Sequence, residues 1–131
     1  MGGAGGPVVD QAIKALASQH IPAGARAMGS AMVGNFTNGG CMETSIQVNA
    51  GKCYTVVGAT MGTGDLDLEL IPAIGIPGVP AQPVAQDQGN GPQAVLGGKP
   101  NCWTAIVPGP MKLRIRLENG QGMAGAQIYE K

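Results

Sequence analysis

A chain of 131 residues is long enough for one domain of ordinary size, and eight Lys plus Arg against eight Asp plus Glu leave a formal net charge of 0. That balance supplies no field to draw the chain onto nucleic acid or an anionic membrane, and no run approaches the roughly 20 apolar residues that span a bilayer. Gly 23 and Pro 10 approach the composition of disordered chains, but 44% hydrophobic residues support a packed core, built on aliphatic side chains because only Phe36, Tyr54, Trp103 and Tyr129 are aromatic.

Residues 1–7, Met1-Gly-Gly-Ala-Gly-Gly-Pro7, form a Gly-rich leader without the basic and apolar regions of a signal peptide. It reads as a mature N-terminus behind an added start codon, of the kind that follows the lipid-bearing cysteine of bacterial lipoproteins. Residues 8–29 hold a helix and a loop. Val9, Ala12, Ile13, Leu16 and Ala17 recur at spacings of three and four, which predicts an amphipathic helix from Val8 to His20 between Pro7 and Pro22. From residue 30 the periodicity changes to two, and short runs bounded by Gly, Pro or Asn predict strands over 30–37, 43–49, 53–61, 66–71, 93–96, 102–107, 111–117 and 122–129. Asn38-Gly-Gly40 is placed to close a hairpin between the first two. This succession defines the fold class as all-β, an antiparallel, jelly-roll-like sandwich preceded by one short helix.

Two strands alternate cleanly. Met111, Leu113, Ile115 and Leu117 face a core while Lys112, Arg114 and Arg116 face water; Leu66, Leu68 and Leu70 face inward while Asp65, Asp67 and Glu69 face outward. The two charged rows are complementary in sign and within reach of one another if the strands are neighbours. Residues 71–92 carry Pro72, Pro77, Pro80, Pro83 and Pro92 and predict a long loop, with Ile74, Ile76, Val79 and Val84 available to pack on the sandwich or a partner.

The three cysteines, Cys41, Cys53 and Cys102, have no zinc spacing. Cys53 and Cys102 each open an apolar, β-prone run, so a bridge between them would staple two strands and contribute about 4 kcal/mol by loop closure. Cys41 is then left over, buried, free or paired between molecules; Cys41 with Cys102 or with Cys53 is the alternative. A bridge implies export.

For ligands, Asp65, Asp67 and Asp87 offer the hard oxygens that calcium takes. The bland alternatives are a solvated strand face for Asp65 and Asp67 and an Asx turn in Asp87-Gln-Gly-Asn90. No organic cofactor is implied. His20 ends the helix, where a cation favours the dipole, and no nucleophile forms a motif with it. Tyr54 alternates into the core with Val56; Trp103 packs beside Cys102 or offers a stacking face for a sugar.

Five segments, Val33-Gly-Asn-Phe-Thr-Asn-Gly-Gly, Ser45-Ile-Gln-Val-Asn-Ala-Gly-Lys-Cys-Tyr-Thr-Val, Gly64-Asp-Leu-Asp-Leu-Glu-Leu, Ala85-Gln-Asp-Gln-Gly-Asn-Gly-Pro and Leu113-Arg-Ile-Arg-Leu, occur in an order and spacing that resemble the bacterial pre-peptidase C-terminal (PPC) domain. The resemblance covers residues 30–131 and implies a jelly-roll-like sandwich of the kind attached to secreted enzymes and found in small exported proteins; some domains similar to it bind calcium or extended polymers. The helix, the cysteines and the Pro-rich loop depart from it. The expectation is a non-catalytic extracellular or cell-envelope module, secreted, periplasmic or on the cell surface, whose partner is an envelope protein or polysaccharide. The alternative is a self-assembling subunit of fibre or surface-layer type that uses the N-terminal arm and sheet edges to bind other copies of itself.

Overall fold

In the computed structural model the described residues are 6–21, 24–29, 31–61, 64–72, 84–87, 91–97, 102–105 and 108–131. The leader up to residue 5 and the apolar residues Ile74, Ile76 and Val79 of the Pro-rich loop lie outside them. Helix α1 (Gly6–His20) takes Pro7 into its first turn, where the fixed φ of proline is already helical. Its stripe of Val9, Ile13, Leu16 and Ala17 is buried against Val57, Ala59 and Tyr129.

The strands are β1 (Arg26–Ala27), β2 (Met32–Phe36), β3 (Cys41–Val48), β4 (Cys53–Thr60), β5 (Asp65–Pro72), β6 (Ala85–Gln86), β7 (Gln93–Leu96), β8 (Trp103–Thr104), β9 (Gly109–Glu118) and β10 (Gly122–Glu130). They form two antiparallel sheets. In sheet I, β1 and β2 lie end to end along β10, β4 follows, and β7 and β8 lie end to end beyond it. Sheet II has the order β3-β9-β5-β6. With the two-residue β1 and β8 set aside and β2 counted first, the orders are first-eighth-third-sixth and second-seventh-fourth-fifth. These are the two interleaved sheets of a jelly roll.

The core lies between the sheets. Leu66, Leu68 and Leu70 of β5 and Leu113, Ile115 and Leu117 of β9 meet Tyr54 and Val56 of β4 and Ala124, Ala126 and Ile128 of β10. Because α1 covers the outer face of sheet I, β4 is buried on both faces from Tyr54 to Thr60 and its sequence shows an apolar run in place of alternation. Small residues make room for this third layer. At Gly125 a Cβ would stand 2.5 Å from the Met32 carbonyl oxygen and 3.2 Å from Val9 Cγ1, so glycine permits helix, β2 and β10 to approach together.

Cys53, at the start of β4, is bridged to Cys102, just before β8, with Cα atoms 5.6 Å apart. The staple closes an end of sheet I already paired at Tyr54–Trp103. The Tyr54 hydroxyl donates to Glu130 Oε2 at 2.6 Å and accepts from the Asn49 N–H at 2.7 Å, while Cys53 and Lys131 exchange both backbone hydrogen bonds.

Three expectations are corrected. Asn38-Gly-Gly40 does not close a hairpin: β2 pairs with β10 and β3 with β9, so the turn carries the chain from one sheet to the other, and the Gly39 N–H docks on the Leu117 carbonyl. The same glycines serve either connection, since both need only a reversal with positive φ at Gly39. Cys41 is not buried; it is a free, exposed residue at the start of β3, because alternation along β3 points the odd-numbered side chains outward. Arg26–Ala27 and Ala85–Gln86, read as loop, are short strands held by β10 and β5.

Candidate functional site

The two sheets differ in what covers their outer faces. Sheet I carries α1; sheet II presents side chains set in register by its strand pairing. Cys41 lies beside Arg116 and Arg116 beside Asp67; Glu43 lies beside Arg114 and Arg114 beside Glu69; Ser45 lies beside Lys112; Asp65 lies beside Glu118. The two complementary rows read from the sequence are therefore hydrogen-bonded neighbours. Glu43, Asp65, Asp67, Glu69, Lys112, Arg114, Arg116 and Glu118 are eight of the chain's sixteen Lys, Arg, Asp and Glu, concentrated on one sheet.

Arg114 organises the middle of the array. Its Nε donates to Glu43 Oε2 at 2.7 Å, Nη2 stands 2.7 Å from the same oxygen, and Nη1 lies 3.7 Å from Glu69 Oε1. The Glu43 hydrogen bond raises the Arg114 pKa above its already high ordinary value, so the guanidinium is permanently charged. Lys112 Nζ lies 4.0 Å from Glu43 Oε1, and Arg116 Nη1 lies 3.9 Å from Glu118 Oε1. At this exposure such ion pairs add little stability, and their consequence is a fixed pattern of donors and acceptors.

At one end the balance of charge fails. Asp65, Asp67 and Glu118 bring carboxylate oxygens within 4.8 Å of one another, each side chain half-buried. Burial, then the charges of Asp65, Asp87 and Glu118, push the Asp67 carboxyl up to about 6, with Arg116 pulling weakly the other way. Of the three residues expected to take calcium, Asp65, Asp67 and Asp87, the structure brings the first two together with Glu118. Asp65 and Asp67 belong to the close group, whereas Asp87 acts on Asp67 through its charge and uses Oδ1 to accept the Leu68 N–H at 2.8 Å. Asp65 Oδ1 likewise accepts the Gly91 N–H at 2.8 Å. These carboxylates tie the return segment to β5 and at the same time offer the oxygen donors a hard cation takes. Glu118 escapes a sequence reading that ends the run at Leu117; one more step of the alternation places it outward with Lys112, Arg114 and Arg116.

Trp103 is half-buried, its ring 6.0 Å from that of Tyr54, which is fully buried as its alternation with Val56 predicts. His20 ends α1. A cavity of about 240 Å³ opens between the edges of the two sheets, where Met28 and Met32 face Ile46, with Leu113, Ala126 and Ile128 beneath.

Fold, staple and charged array define a class: a disulfide-bridged jelly-roll sandwich with a helix on one face and an ion-paired sheet on the other. The bridge points to an oxidising, extracytoplasmic compartment. No family model, curated protein or solved structure matches this chain. No helix among the described residues is long and apolar enough to cross a membrane.

Proposed function

We propose that this protein is a non-catalytic, exported, PPC-like module that binds a polar polymer of the cell envelope on the outer face of sheet II. The observation that carries the reading is the asymmetry of the two faces. One sheet commits its outer face to α1; on the outer face of the other, among the described residues, half of the chain's acidic and basic residues stand in fixed register, half-buried or exposed. Arg114, held by Glu43 and Glu69, and Arg116, beside Asp67, place donors and acceptors about one strand spacing apart, near 4.8 Å. A chain bearing amide, hydroxyl and carboxylate groups, as peptidoglycan and acidic polysaccharides do, can meet both signs at once. Localisation in the periplasm or at the cell surface accords with the disulfide.

Affinity electrophoresis in gels containing a soluble polysaccharide, together with co-sedimentation on purified peptidoglycan, tests the reading. Retardation or co-sedimentation is expected for the wild-type protein and is lost in Arg114→Ala with Arg116→Ala. Equal behaviour of the two proteins on every polymer removes sheet II as the binding face.

A further inference from the structure

We infer that this protein forms a two-fold dimer by pairing β3 with β3 of a second copy, so that sheet II continues across both subunits. Both sheets end in edges, and edges attract strands unless they are blunted. In sheet I one edge is divided between the two residues of β1 and the five of β2, and the other between the four of β7 and the two of β8. In sheet II the β6 edge is two residues long. The remaining edge, β3, runs eight residues without a break and contains neither proline nor lysine, and its inward row of Met42, Thr44, Ile46 and Val48 carries no charge.

The hydrogen-bond parity shows which backbone groups are free. Leu68 and Leu70 give their carbonyls to Asp87 and Val84 on the β6 side, so the odd-numbered residues of β5 serve β9. On β9 the odd-numbered residues then serve β3, in keeping with the Leu117 N–H that donates to the Gly40 carbonyl. On β3 the even-numbered residues are therefore bonded, and Cys41, Glu43, Ser45 and Gln47 turn N–H and C=O away from the sheet. All four are exposed.

A second observation lies on the same side. Met28, Met32, Met42 and Ile46 face the core yet remain half-buried, and the cavity of about 240 Å³ opens among Met28, Met32, Thr44 and Ile46. Among the described residues, nothing seals the sandwich along β3. An antiparallel copy centred on Thr44 uses all four free residues, Cys41 with Gln47 of the partner subunit and Glu43 with Ser45 of the partner subunit. It sets Met42 opposite Ile46 of the partner subunit on the inner face, which extends the apolar row over the open seam. Because β3 is the one long unblunted edge among the described residues, the pairing is isologous and closes at two copies. A fibre would require a second such edge. This inference does not depend on what sheet II binds.

Gel filtration with light scattering, with and without reductant, is the first measurement. The expected mass is twice 13.1 kDa at micromolar concentration in both conditions, since Cys41 faces Gln47 of the partner subunit and forms no bridge. Ser45→Pro deletes a free-edge N–H and leaves the β3–β9 bonds in place, so it is expected to be monomeric with an unchanged circular dichroism spectrum. Thr44→Cys in a Cys41→Ser background puts two thiols across the two-fold axis at a non-hydrogen-bonded pair, where Cα atoms stand about 4.5 Å apart, within disulfide reach. Mild oxidation is expected to convert this protein to covalent dimer. A wild-type mass of 13.1 kDa up to millimolar concentration overturns the inference, as does a dimer that survives in folded Ser45→Pro, or a Thr44→Cys protein that fails to cross-link on oxidation.

Discussion

Replacing Asp67 by asparagine should make the protein more stable at neutral pH, although it removes the cross-strand partner of Arg116. Folding raises the Asp67 carboxyl from 3.8 to about 6, so the folded state holds this proton more tightly than the unfolded state. Stability from this group therefore falls as pH rises from about 4 to about 6, and the cost is complete above that window. Two pH units correspond to an upper limit of about 3 kcal/mol, and solvent screening of a half-buried carboxylate reduces this to about 1 kcal/mol. For a domain of this size that is a rise in melting temperature of about 4 °C for Asp67→Asn at neutral pH. The lost attraction between Asp67 and Arg116, the weakest of the influences on this carboxyl, subtracts a few tenths of a kcal/mol at most. Thermal denaturation of both proteins across this pH range is the assay. The difference between them should be near zero at the acid end, grow through the window and level off above it. A variant that is less stable at neutral pH, or a difference that does not change with pH, refutes the reasoning.

Converting Cys53 and Cys102 together to serine should cost about 4 kcal/mol in urea unfolding, from the unfolded-state freedom returned to a 49-residue separation; a loss under about 1 kcal/mol means the staple acts on an end already held by other contacts. Gly125→Ala should destabilise the fold by about 1–3 kcal/mol, because the new methyl meets the Met32 carbonyl and the Val9 side chain, and hydrogen exchange should show α1 opening first. Wild-type exchange rates in α1 would show that the layers give way at no cost. Millimolar calcium should raise the melting temperature of the wild-type protein and narrow its gap to Asp67→Asn, since an ion among the carboxylates relieves the same repulsion. No shift removes Asp65, Asp67, Glu118 and Asp87 as ligands.

Much of the architecture is legible in the sequence because one wet face leaves a strong signature. From Asp65 to Glu69 in β5 and from Lys112 to Glu118 in β9 every second residue is charged, which fixes both the strand and the side that faces the core. The bridge between Cys53 and Cys102 is readable for a related reason, as both cysteines open β-prone runs. Where two faces are buried the signature fades: β4 shows only an apolar run, and nothing in it announces that α1 lies on its back. Glycine turns are ambiguous between a hairpin and a crossing from sheet to sheet, which is why Asn38-Gly-Gly40 suggests the wrong connection. The acidic group is half legible. Asp65 and Asp67 belong to one alternating run, but their meeting with Glu118 depends on strand register, which is set by partners far along the chain.

The interleaved strand order has a kinetic meaning. β9 and β10 are the inner strands that hold β3 to β5 and β2 to β4, and they follow all four of those strands in the chain. Until β9 has been made sheet II lacks its centre, and until β10 has been made sheet I does, so the earlier strands find no native neighbour on that side. Such non-local pairing folds slowly. A chain that has not yet reached β9 and β10 therefore stays open, and the Cys53–Cys102 bridge fastens it only in an oxidising, extracytoplasmic compartment.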